Sequence, residues 1–96
     1  MKKLFILTMI SVLYAQAPPS FKIDDIIIKG NSSTSNNMVL YTAGIQKNQE
    51  VTAEDFRRAV KRLWDLGVFS NVQIDFNSET SNGISITIEV EESPVL

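Results

Sequence analysis

A change of hydrophobic period across one glycine constrains this chain more than any other feature. Apolar residues at Phe56, Ala59, Val60, Leu63 and Trp64 recur at helical spacing, whereas beyond Gly67 the residues Val72, Ile74 and Phe76 alternate with Gln73, Asp75 and Asn77. Gly67 stands where a helix C-terminus favours a left-handed residue, because without a Cβ it takes φ > 0 at no steric cost. Val68 is expected to pack back onto the last helical turn. The stretch therefore predicts a helix feeding a strand, and the elements on either side can be placed from it.

The start of the chain reads differently. Lys2 and Lys3 form a charged start, residues 4–14 an apolar run, and Ala15-Gln16-Ala17 a small-x-small cleavage site, which together predict a secretory signal peptide over residues 1–17. An uncleaved anchor is the competing reading, but the run falls well short of the ~20 apolar residues that a spanning helix needs. Loss of Lys2 and Lys3 with the leader moves the formal net charge from −2 to −4. That balance argues against a nucleic-acid binder. The sequence has no cysteine, so a small exported domain of this composition must be stabilised by packing alone or within an assembly. With no cysteine after the leader there is also no residue to carry a lipid anchor.

After an extended lead-in over residues 18–20, the first strand is expected from Phe21 to Lys29, closed by Gly30 and Asn31. Phe21 and Ile23 are out of phase with Ile26 and Ile28, so either a bulge intervenes or the regular strand starts near Asp25. Residues 31–37 are rich in Ser, Thr and Asn and read as a loop with Ser35 as N-cap of a short helix carrying Met38, Val39, Tyr41 and Ala43, which Gly44 stops. In the connector over residues 46–50, Asn48 is the residue best suited to a left-handed turn position. Thr52 and Asp55 form a capping-box variant opening the second helix, flanked by Val51 and Phe56 at hydrophobic-staple positions.

On that helix Arg57, Arg58, Lys61 and Arg62 suggest an anion-binding stripe. Local pairing is the stronger reading, because Glu54 precedes Arg58 by four residues and Asp65 follows Lys61 and Arg62 at helical spacings. Residues 78–83 are expected to join the strand over residues 72–77 to a last strand over residues 84–91, with Asn82 and Gly83 tolerating φ > 0. In that last strand Ile84, Ile86, Ile88 and Val90 share one face and Ser85, Thr87, Glu89 and Glu91 the other.

The fold class is therefore α+β, in the order β-α-α-β-β, with two helices on one face of a three-stranded mixed sheet. A right-handed crossover places the third strand in the middle and the first and second at opposite edges, giving the order first-third-second. Residues 72–77 then form an exposed edge.

Gly30-Asn31, the connector from Gly44 to Thr52, the run from Leu63 through Gly67 and Phe69 to Val72, and the terminal Val90-Glu91-Glu92-Ser93-Pro94 closely resemble a POTRA module, of the kind at the N-terminus of the outer-membrane assembly factor BamA and its relatives. The resemblance spans residues 21–94, with the domain placed at residues 21–92 and residues 93–96 starting a linker. Asn48 departs from it, since the family usually carries glycine there. The resemblance implies an exported, periplasmic scaffold associated with the outer membrane through a barrel that this sequence does not contain. It implies as partners assembly-machine lipoproteins, periplasmic chaperones or unfolded outer-membrane proteins, bound by strand addition at Val72, Gln73, Ile74, Asp75, Phe76 and Asn77. A guarded, idle edge is the competing reading, with Asp75 as the guard.

Other modules of the same type, from two-partner secretion transporters or cell-division proteins, are the alternative functional assignment. No cofactor is expected. An enzyme is not expected either, because the sequence lacks His and Cys, a glycine-rich phosphate loop and a spaced metal-ligand cluster. The chain ends at Leu96, where a following module is expected to begin; a fragment, a truncated reading frame and a single-module protein all fit that ending.

Overall fold

Residues 18–94 are described by the structure, a computed structural model. The leader expected over residues 1–17, and the last two residues of the expected linker, lie outside the described residues. β1 (Phe21–Lys29) has the bounds that its isoleucine-rich run predicts. Its phase break is a bulge. Pairing with the last strand steps from Ile23↔Ile84 to Asp25↔Ser85, which skips Asp24 and lets Ile23 share the inner face with Ile26 and Ile28.

α1 (Asn36–Ala43) begins where the Ser35 hydroxyl accepts the Met38 N–H at 3.1 Å. It ends at Gly44, whose φ of 72° lets its N–H reach the Leu40 and Tyr41 carbonyls. Only Val39 and Ala43 of this helix are buried; Met38 and Tyr41 face solvent. The following connector is zipped to β1. With φ 68°, Asn48 donates its N–H to the Ile23 carbonyl at 2.7 Å, and the Ile23 N–H returns a bond to Gln49 at 2.9 Å.

That turn continues into β2 (Glu50–Val51), antiparallel to β1 through Phe21↔Val51 and Lys22↔Glu50. The sheet therefore has four strands rather than three, in the order β2-β1-β4-β3. Two residues are too few to show an alternating pattern, so the added strand has no signature of its own in the sequence. The order of the longer strands is first-third-second as expected, with β4 (Gly83–Glu92) parallel to β1 and antiparallel to β3 (Phe69–Thr80).

α2 (Ala53–Asp65) opens with both halves of the capping box: the Thr52 N–H donates to the Asp55 carboxylate at 2.8 Å, and the Asp55 N–H donates to the Thr52 hydroxyl at 3.4 Å. Ala59 and Leu63 are fully buried, with Phe56 and Val60 packed beside them. Trp64 is 43% exposed, so the apolar stripe is narrower than its spacing suggests. It lies about 100° around the helix from Leu63 and turns off the line that meets the sheet. Val68 is similarly exposed, and the helix end is held instead by N–H bonds from Leu66 to Leu63 and from Gly67, at φ 77°, to Trp64.

The basic face of α2 pairs locally, with a change of partners. Arg57 meets Glu54 and Arg58 meets Asp55, each at i,i+3, and Lys61 meets Asp65. Arg62 does not join Asp65; its guanidinium lies against Gly44, where an added Cβ would come within 2.7 Å of it. The β3–β4 turn is also tighter than expected. Thr80↔Gly83 is already a strand pair, so only Ser81 and Asn82 form the loop, and Asn82 is not at positive φ.

Of the glycines, Gly30 stands closest to neighbouring backbone. At φ 88°, a Cβ there would overlap the Val90 carbonyl of β4, whereas a Cβ on Gly67 would meet nothing within 4 Å. Gly67→Ala should therefore cost only the left-handed backbone strain, ~1–2 kcal/mol. Gly30→Ala should cost that plus the displacement of β4, a further ~1–3 kcal/mol. Urea unfolding midpoints of the two variants test this, and equal losses would contradict the close-approach account.

Candidate functional site

The candidate site is built on β3, because its order in the sheet leaves one side without a partner. Val72↔Val90, Gln73↔Glu89, Ile74↔Ile88, Asp75↔Thr87 and Phe76↔Ile86 form the paired side, and no strand of the described residues lies on the other. Alternate N–H and C=O groups along the open side thus point to solvent. β1 differs in this respect. Its outer side is occupied at Phe21, Lys22 and Ile23 by β2 and the Asn48 turn, and is open only beyond.

The residues expected to form the edge divide by face. Val72 is buried and Ile74 packs against the core, while Gln73 and Asp75 stand on the outer face and bond to each other at 2.9 Å. Asn77 has a structural task as well: it sits at a second bulge, where its side-chain oxygen accepts the hydroxyl of buried Thr87 at 3.0 Å. Phe76 is the exception. It belongs to the inner face, yet 61% of it is exposed.

Its exposure is explained by a groove of about 520 Å³ that α2 leaves uncovered. Ile74, Phe76, Ile84 and Ile86 of the sheet form its floor, and Phe56 and Val60 of α2 its wall. Phe21 closes one end, and Arg57, already paired with Glu54, reaches the rim. An extended segment added to β3 would place every second side chain over this floor, since side chains alternate faces along a strand. The arrangement suits backbone pairing combined with apolar burial. It offers little else: among the described residues no group of His, Cys, Asp or Glu is placed to hold a metal ion.

The groove itself was not legible in the sequence, because Phe21, Phe56 and Ile84 are far apart in the chain and meet only through tertiary packing. The residues of the expected motif support the site from behind. Leu63, Phe69 and Val72 are buried in the core, Gly30 and Gly44 allow close approach and helix termination, and the Asn31 amide bonds the Thr34 carbonyl and Asn36 at 2.7 Å each. At the far end of the hairpin, Glu92 accepts the Ser33 N–H at 2.7 Å and the Ser32 hydroxyl at 3.2 Å. The Ser33 N–H holds the Glu92 carboxyl below its ordinary range, as the Thr52 N–H does for Asp55.

A protein-family model described as "POTRA: Surface antigen variable number repeat" matches residues 21–93. No curated protein matches the sequence. Among solved structures, the chain is similar to POTRA1-2 of the periplasmic domain of Omp85 from Anabaena, at 19% identity and a TM-score of 0.67, covering 83% of this chain and 52% of that one. A longer segment of the same protein, POTRA1-3, gives a TM-score of 0.66 at 19% identity, with 83% of this chain and 32% of that one covered. The N-terminal domain of Omp85 from the thermophilic cyanobacterium Thermosynechococcus elongatus gives a TM-score of 0.73 at 20% identity, covering 83% and 34%. The chain thus spans from about a third to about half of the length of these structures.

The division of β3 between core and groove is testable by stability. Val72→Ala should cost ~1–3 kcal/mol through lost burial, whereas Phe76→Ser should stay within ~1 kcal/mol because little packing is lost. A loss at Phe76 equal to that at Val72 would mean that the groove is part of the core. Acid should act through Asp55 and Glu92. Both carboxyls titrate lower folded than unfolded, so their contribution is complete above about pH 5 and is lost as pH falls through the folded values. Glu92→Gln should lower the melting temperature at pH 7 and reduce its dependence on pH below about 5; an unchanged acid profile would refute the Ser33 contact.

Proposed function

The chain belongs to the POTRA family, and on that premise we propose that it is a periplasmic module of a BamA-like outer-membrane β-barrel assembly factor. It acts as a protein-interaction scaffold that takes up partner or client polypeptides by strand addition at residues 72–77. The observation that carries this reading is the open side of β3 beside an apolar groove. Each backbone bond to an added strand contributes ~0.5–1.5 kcal/mol net, so a few of them give a weak, sequence-tolerant grip. Apolar side chains laid over Ile74 and Phe76 add burial at ~25 cal/mol per Å².

Likeness to Omp85 modules supports the location. In this reading residues 1–17 direct export and are removed, residues 21–92 form the module, and residues 93–96 begin a linker. Assembly-machine lipoproteins, periplasmic chaperones and unfolded outer-membrane proteins are the partners that fit a handler of extended chains. None of these needs a catalytic group or a cofactor on the module.

An extended apolar peptide titrated into the ¹⁵N-labelled protein should shift the amide signals of residues 72–77 more than those of β1. Uniform small shifts over both strands would remove strand addition as the mode of binding.

A further inference from the structure

The β3–β4 hairpin is acidic throughout. Asp75, Glu79, Glu89, Glu91 and Glu92 fall on it, and neither strand carries a lysine or arginine. Four of the domain's cations are engaged with carboxylates elsewhere. The ion pairs among the described residues join Lys47 to Asp25, Arg57 to Glu54, Arg58 to Asp55 and Lys61 to Asp65, and none uses a hairpin carboxylate.

Position gives these charges different roles. Asp75 lies on the outer face of the edge strand itself. Behind it on β4 stand Glu89, opposite Gln73, and Glu91, opposite Asn71. Lys29 of β1 stands across from Glu89, one strand away from the open edge, and is not among the ion pairs of the described residues. Glu79 pairs opposite inward-facing Ile84, so it shares the groove face beyond Phe76 and is exposed there. Glu92 is occupied by Ser32 and Ser33 and is not available. A strand lying along β3 would therefore meet apolar surface under one row of its side chains and uncompensated carboxylate beside the other.

We propose that the polypeptide this edge selects is an extended strand in which apolar side chains alternate with lysine or arginine, the apolar row lying over the groove and the basic row beside Asp75. This rests on the strand-addition reading and adds to it the chemistry of the guest. Facing opposite charges on neighbouring strands favour pairing and facing like charges oppose it. The same rule disfavours a second copy of this chain as the guest, since its β3 carries Asp75 and Glu79 and offers no lysine or arginine to face Asp75. The acidic hairpin also draws a basic segment in from solution, in a manner that salt screens.

The test uses the chain and three peptides of about seven residues, a little over a common strand length. They alternate valine or phenylalanine with lysine, glutamine or glutamate, and amide shifts of β3 are followed at low and high salt. The lysine peptide should bind about tenfold more tightly than the glutamate peptide at low salt, with glutamine between them. The preference should shrink severalfold with added salt, and in the variant Asp75→Asn, whose exposed position leaves the fold intact by circular dichroism. Equal affinities with β3 shifts for all three peptides would overturn charge selection and leave strand addition standing. No β3 shifts with any peptide would overturn both. Shifts on dilution of the protein alone would overturn the proposal in favour of self-pairing.

Discussion

The burial of the inner row of β4 is the interaction on which the rest of the module depends. Ile84, Ile86, Ile88 and Val90 are all at least nine-tenths buried, each facing the helices from the strand that joins β1 to β3. At ~1.5–3 kcal/mol for each buried side chain, this row alone contributes on the order of 10 kcal/mol, as much as the net stability of a typical domain. Both neighbours take their register from it: the bulge at Asp24 in β1 and the one at Ser70 in β3 are the adjustments that keep Ile23 and Phe69 on its inner face. The fit extends to the backbone, since Gly30 passes so close to Val90 that no side chain can be accommodated between them.

Placing β4 in the middle decides where the molecule is incomplete. β1 gains cover at its start from β2 and the Asn48 turn, while β3 gains none along its free side. The helices do not correct this imbalance. α2 joins the core through Ala59 and Leu63, and leaves the floor around Phe76 bare. Unpaired backbone, exposed apolar surface and unneutralised carboxylate thus come together at one margin of the sheet, all as results of strand order and helix length rather than of any dedicated binding loop.

Much of this architecture was legible because each element carries its own punctuation. Ser35 and Thr52 bond the first turns of their helices, Gly44 and Gly67 end them, and Asn48 takes the left-handed turn; all act within a few residues and need no tertiary context. The phase break at Ile23 was legible only as a question, since its answer lies in the register against Ile84. Other features had no local signal. β2 is too short to show a period, and β3 extends past Asn77 through Ser78, Glu79 and Thr80, polar residues whose strand geometry is imposed by pairing with Ile84 and Gly83. Trp64 was misplaced because helical spacing gives a stripe without saying how wide a surface the partner offers. The edge could be inferred from strand order, but the groove beside it required coordinates, as did the free carboxylates near it.

The placement of the last strand also has a kinetic meaning. β1 is made first and β4 last, and they are direct neighbours in the sheet, so the pairing that unites the domain closes a loop spanning nearly the whole described chain. Closing it is an entropic cost that shorter-range contacts do not share, and it slows folding. A module truncated before Gly83 has two helices and three strands but lacks the central strand on which they bury their apolar faces. Folding must therefore wait for the final ten residues of the sheet to be released, and then proceed as a single event.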